Sequence, residues 1–427
     1  MTAMTAMTAR STIQKWFTLF SFMSLSVFCN VHSAFAGGCK MEEVSVAAEF
    51  ASKFIAGKVR DKMLAIEKEM KSKGQTLELA IVSRGGNLIN DFYTVKDQPE
   101  IPLDQYMERL SKVVKKDGEQ GPLRVPVSLR SEHKLKYTHS GFYLRDSKIE
   151  ANENNNDLIT MVHLLSECDE KSERYGDSQI FHEVLSRFFW ETADREEDQG
   201  EEVLIMVPGA KAQKRIYEIL TNRFLPRLVS QNCKKDTVGM RLHNPNYNAI
   251  SMPFQTFDQN SNQWPLEVIA ASQVKLGSVT MRSQAQAILK GQNYRPSIVQ
   301  PDSFKASIAC NNVDGVFNLG LFYDATNVID CDHQIYRESN LYQIITVDSL
   351  KKYMLRNGLL KSEDIYELSI SAEEVNKYVK EKMKIAGKGM EVYRKLIKIG
   401  QEELGKLKAQ KGFGDSSQDK KTCSDEN

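Results

Sequence analysis

His139 and Ser261 are the residues whose types and settings could do chemistry together. His139 sits in the strand-like stretch Lys136–Asp146. Tyr137, His139, Gly141 and Tyr143 should share one face there, with Thr138, Ser140, Phe142 and Leu144 on the other. An imidazole fixed on a strand beside a glycine, which lets another backbone come close, is a candidate general base. Ser261 lies in Asp258–Ala271, where polar capping residues run into an apolar, helix-forming run. Pro265 has no amide hydrogen and fits only a first helical turn, which predicts Ser261 at or just before a helix N-terminus. Free amide hydrogens and the positive dipole end would stabilise an anion there, although a serine hydroxyl also needs a base.

The elements that must position these residues follow from hydrophobic period. Leu158–Leu165 reads as a return strand carrying His163, so that Lys136–Asp146 and this run form a hairpin with a long polar loop. Leu77–Ser83 reads as a further strand, closed by a turn at Gly85 and Gly86, and Val203–Val207 as a buried one. Helices are predicted over Glu42–Ser72, Asp177–Trp190, Ala210–Asn222 and part of Ser272–Gly291. In Asp177–Trp190 the expected apolar face is Ile180, Phe181, Val184, Leu185, Phe188 and Phe189. Ile344–Val347 is the expected last core strand, with Asp348 capping a helix over Ser349–Arg356. Residues 92–134 look like an insertion, and Glu191–Glu202 like a solvated acidic loop. After Asn357 the chain turns into a charged, amphipathic helical stretch capped by Ser371, and from Gly412 it is a polar tail.

Residues 1–36 have the form of a cleavable signal peptide: Arg10 and Lys15, an apolar run to Val31, then Ala34-Phe35-Ala36. The expected location is therefore periplasmic or secreted, with a mature chain that does not span a membrane. A formal net charge of +1 gives no global field favouring nucleic acid. Beyond the signal, Cys39, Cys168, Cys233, Cys310, Cys331 and Cys423 permit disulfides in an oxidising compartment. Cys39–Cys168 and Cys310–Cys331 are the favoured pairs, and buried free thiols fit the same residues.

Several stretches together resemble a family of exported bacterial proteins, domain of unknown function 2145. They are Lys136–Asp146, Val162–Cys168, Arg241–Tyr247, Gln259-Asn260-Ser261-Asn262-Gln263-Trp264 and Tyr294-Arg295-Pro296. The order of elements is also similar to circularly permuted NlpC-type papain-like proteins. That resemblance implies His139 as the base, His163 as its orienter and Ser261 as the occupant of the nucleophile position. Active permuted enzymes carry cysteine where Ser261 stands, and the family pattern lacks the insertion and the helical extension.

The reading is an α+β fold with an antiparallel sheet packed against helices, permuted papain-like, with a helical C-terminal extension. It divides into a signal peptide (1–36), a papain-like domain (37–357, insertion about 92–134), a helical extension (358–411) and a disordered tail (412–427). The expected function is a cell-envelope hydrolase or acyltransferase of amide or ester bonds. Tyr137, Gln263 and Trp264 are the expected substrate contacts, with no cofactor and no metal. The competing reading is an inactive binding module of the same fold, holding a cell-wall peptide or a lipid. A protein partner through the C-terminal helix is a third. Bland readings fit the same residues: His139 and His163 as core histidines, Ser261 as a helix cap, Trp264 as a core anchor. Glu167 and Cys168 beside His163 suggest zinc only weakly, because no second Cys/His pair has ligand spacing.

Overall fold

The structure, a computed structural model, describes residues 39–40, 45–85, 92–98, 100–116, 123–145, 160–167, 177–190, 200–221, 237–248, 251–301 and 341–385. Its first elements are β1 (Cys39–Lys40), α1 (Val46–Ser72), β2 (Leu79–Arg84), β3 (Phe92–Val95), α2 (Leu103–Val113), β4 (Lys115–Lys116) and β5 (Leu123–Arg124). Next come β6 (Arg130–Lys134), β7 (His139–Leu144), β8 (Thr160–Glu167), β9 (Ser178–Val184), α3 (Leu185–Phe188), β10 (Glu201–Met206), α4 (Ala210–Thr221) and α5 (Val238–Arg241). The chain continues with α6 (Gln263–Ala271), α7 (Arg282–Gly291), β11 (Ser297–Pro301), β12 (Tyr342–Ile344), α8 (Val347–Arg356) and β13 (Ile365–Ile370), then a helix over 372–385.

The class is α+β. The main sheet runs β9-β8-β7-β2-β10-β13, antiparallel throughout, with β1 adding a short parallel pairing to the end of β8. Strand alternation divides the core in two. Ala80, Val82, Tyr143, Met161, Val203 and Ile205 face Ile55, Val59, Met63 and Ile66 of α1. Leu79, Ile81, Phe142, Val162, Leu204 and Met206 face the helices of the other side, among them Ile216, Trp264, Leu266 and Tyr353. Trp264 is fully enclosed and meets Phe142 edge to face, with ring centroids 5.6 Å apart.

Five sequence expectations change. Ser178–Val184 forms β9, not a helix, and only Leu185–Phe188 turns helical. Its apolar residues fit a helical period, but pairing along β8 from Thr160 to Ser166 overrides that local preference. The segment read as an insertion, residues 92–134, is packed into the fold: β3 and β6 form one side of a second sheet, β12-β11-β3-β6, over a small core of Val95, Tyr106, Met107, Leu110 and Ile298. Glu201 and Glu202, expected in a solvated loop, belong to β10, and Glu201 is buried with Oε1 accepting from the Gly85 amide at 3.1 Å. Helix α8 is capped by Thr346 in a reciprocal box with Ser349, so Asp348 falls inside the first turn. The stretch after Asn357 opens with a strand, β13, on the edge of the main sheet before Ser371 caps the helix over 372–385. Cys168, Cys233, Cys310, Cys331 and Cys423, residues 1–36 and the tail from 412 lie outside the described residues. Among the described residues no helix is long and apolar enough to cross a membrane.

Candidate functional site

β7 and β8 pair in antiparallel register, Gly141 opposite His163, and β9 pairs Phe181 opposite His163. Paired residues point to the same face, so His139, Gly141, His163, Phe181 and Glu183 all share the α1 side of the sheet. The missing side chain at Gly141 is what admits the imidazole of His163 and the ring of Phe188 beneath it.

The result is a buried chain of three ionisable groups. His139 Nε2 lies 3.0 Å from His163 Nδ1, and His163 Nε2 lies 3.3 Å from Glu183 Oε2. Both imidazoles are fully buried, and the Glu183 side chain is 7% exposed. A carboxylate only accepts, which fixes the order of protons: His163 carries its proton on Nε2 and accepts at Nδ1 from the Nε2–H of His139. His139 Nδ1 is then a bare lone pair, and it is buried without a hydrogen-bond partner. Burial drives the pKa of His139 well below the ordinary imidazole value, and Arg84 and His163 push it the same way. Arg84 is its cross-strand partner on β2 and lies over the Phe188 ring, 5.2 Å from the centroid.

Ser261 comes to the same end of β7 from the other side of the sheet. Asn260 Oδ1 accepts from the amides of Asn262 and Gln263 at 3.0 and 2.7 Å, ordering the turn that leads into α6. Asn262 then docks on β7. Its Nδ2 donates to the Thr138 carbonyl at 2.8 Å, and its Oδ1 accepts from the Ser140 hydroxyl at 2.8 Å. The clamp therefore grips the residues on either side of His139, with Ser261 one residue before it. Ser261 is 4% exposed and lies beside the phenol of Tyr247, whose pKa burial raises and Ser261 lowers. His139 faces Phe188, with ring centroids 5.4 Å apart, and its polar contact among the described residues is His163.

A second buried network fixes α6 from below. Glu267 accepts from Gln259 Nε2 and Arg282 Nε, each at 2.8 Å, from Arg282 Nη2 at 3.0 Å and from Gln286 Nε2 at 2.9 Å. Burial pushes the Glu267 carboxyl up, and Arg282 with the glutamine donors opposes it. Arg282 also donates to the carbonyls of Thr256 and Asp258, tying the loop ahead of Ser261 to α7.

The expected substrate contacts are placed as follows. Trp264 is 1% exposed and donates from Nε1 to the Gly239 carbonyl at 2.9 Å. Gln263 is fully buried, its Oε1 accepting from Ser251 at 2.7 Å. Tyr137 precedes the regular part of β7 and packs in the opposite core from His139 and Tyr143, so the expected four-residue face begins only at His139. Its phenol pKa is pushed up to about 12, chiefly by burial. Glu183 and Arg84 carry no motif, and Tyr247 closes the Arg241–Tyr247 stretch without a role being read for it; the alternation Gln179, Phe181, Glu183 is the signal that points to the first of them. Among the described residues no three His, Cys, Asp or Glu side chains gather as metal ligands do. The model of a family described as "Uncharacterized protein conserved in bacteria (DUF2145)" matches residues 127–354. No curated protein and no solved structure matches the chain.

Proposed function

We propose that this chain, which belongs to the DUF2145 family, is an exported cell-envelope hydrolase or acyltransferase of amide or ester bonds. The observation that carries the reading is the Asn262 clamp, which brings the start of α6 against Thr138 and Ser140, the neighbours of His139. This mechanism requires Ser261, which reaches β7 from the face opposite His139, to leave the Tyr247 phenol and swing past the end of the strand to His139 Nδ1. The serine oxygen bonds to the acyl carbon as its proton passes to Nδ1, and that proton then leaves with the amine or alcohol. Water or an acceptor hydroxyl resolves the acyl-serine, giving hydrolysis or transfer. His163, anchored by Glu183, holds the productive tautomer, and the Ser261 amide, turned from Tyr247 in the same movement, receives the oxyanion, the Asn262 and Gln263 amides being held by Asn260. The fold assigned to this chemistry is permuted papain-like, and the first 36 residues serve export to the periplasm or beyond.

One observation favours a second reading, an inactive module holding a cell-wall peptide or lipid. The Ser261 hydroxyl lies beside the Tyr247 phenol, and both it and His139 are enclosed. Serine- and cysteine-directed acylating probes, followed by peptide mapping, decide between the two. Labelling confined to Ser261 and lost in a folded His139→Gln variant supports catalysis. A folded protein that takes up no probe supports the binding module.

A further inference from the structure

The proposed chemistry leaves the Tyr294-Arg295-Pro296 run unused. A cleft lies where the second sheet meets α8, lined by Thr94, Asp97, Arg295, Ser297, Ser349 and Lys352 among others. The Arg295 side chain is only 8% exposed. Its Nε stands 3.4 Å from Asp97 Oδ1, and its Nη1 donates to the Ile101 carbonyl at 2.6 Å. Nη2, in contrast, is buried without a hydrogen-bond partner. A guanidinium keeps its charge at any working pH, so a buried nitrogen with no acceptor is a standing cost unless something supplies one. Lys352 Nζ reaches the other oxygen of Asp97 at 3.7 Å, with a side chain 60% exposed. Among the described lining residues two cations thus meet one carboxylate, a net positive charge there.

We infer that this cleft binds an oxyanion, a carboxylate or phosphate group of a small ligand, held by Arg295 Nη2 and Lys352. With Nε and Nη1 already engaged, the guanidinium offers no free two-pronged fork; one nitrogen and the mobile ammonium form the grip. Asp97 competes with the ligand for both cations. The site stands apart from the His139 chemistry and does not depend on it.

Acetate and inorganic phosphate, titrated separately into the purified protein against sodium chloride of equal ionic strength, test the inference by calorimetry and thermal shift. Saturable binding of either is expected, and the anion preferred tells whether the ligand group is a carboxylate or a phosphate. Arg295→Gln should weaken binding by about tenfold or more, as expected for loss of a charge-assisted bond. Lys352→Gln should weaken it by up to about fivefold, the scale of an exposed ion pair. Asp97→Asn should tighten binding, which a purely structural role for Arg295 does not predict. Should Arg295→Gln fail to fold, the opposite signs of Lys352→Gln and Asp97→Asn carry the test. No saturable effect beyond chloride, or binding unmoved by these changes, overturns the inference.

Discussion

Gly141 on β7 faces His163 on β8 so closely that a methyl group at 141 would lie 2.9 Å from the His163 Cβ. It would also sit 3.1 Å from Met161 Cε and from Phe188 Cε2. Gly141→Ala should therefore cost about 1–3 kcal/mol through overpacking and displace the His163 ring. Urea unfolding reads the first effect and histidine NMR shifts the second; an alanine variant of unchanged midpoint would contradict the packing argument.

The order of protons along Glu183, His163 and His139 is directly measurable. In 15N-histidine spectra both imidazoles should appear neutral with the proton on Nε2. Glu183→Gln presents an amide that can donate or accept, and should disturb the His163 signals first. Spectra showing His139 protonated on Nδ1 would remove it as the base.

Stability should fall with acidity. The folded pKa of His139 is depressed by burial, then by Arg84 and His163, while Glu183 bonds to His163. Below about pH 6.5 the unfolded chain takes up a proton that the folded one refuses, so stability is lost as pH drops. The slope from this group approaches about 1.4 kcal/mol per pH unit. His243, which burial also lowers, adds in the same direction. Urea midpoints at pH 7.5 and 5.0 should differ, and His139→Asn should shrink the difference.

Glu267→Gln should be among the most damaging changes near α6. Gln259, Arg282 and Gln286 all donate to the carboxylate, and the amide would oppose one donor with another while leaving Arg282 buried and uncompensated. About 3–5 kcal/mol is expected, read as a loss of thermal midpoint.

Asn262→Ala removes both hydrogen bonds of the clamp. It leaves the Thr138 carbonyl and the Ser140 hydroxyl without these partners, at about 1–3 kcal/mol. Acyl-probe labelling of Ser261 should drop more steeply than stability does.

What the sequence made legible were features settled by local rules. The hairpin of β7 and β8 follows from alternation in the two runs, and the start of α6 from Pro265. Glu183 was hidden because Ile180, Phe181, Val184 and Leu185 satisfy a helical period, and only the partner strand makes them extended. Tyr137 left the expected face because regular pleating begins two residues later. The second sheet joins Phe92–Val95 to Ser297–Pro301, and no local pattern announces a pairing of that range.

The placement of β13 has a consequence for how the molecule is completed. β10 bonds to β2 on one side and to residues 365–370 on the other. A chain stopping at Asn357 would present the outer backbone groups of β10 as an open template for intermolecular pairing. The chain must therefore be made through Ile370 before that flank is sealed, and until then the unfinished molecule is the form most prone to aggregate.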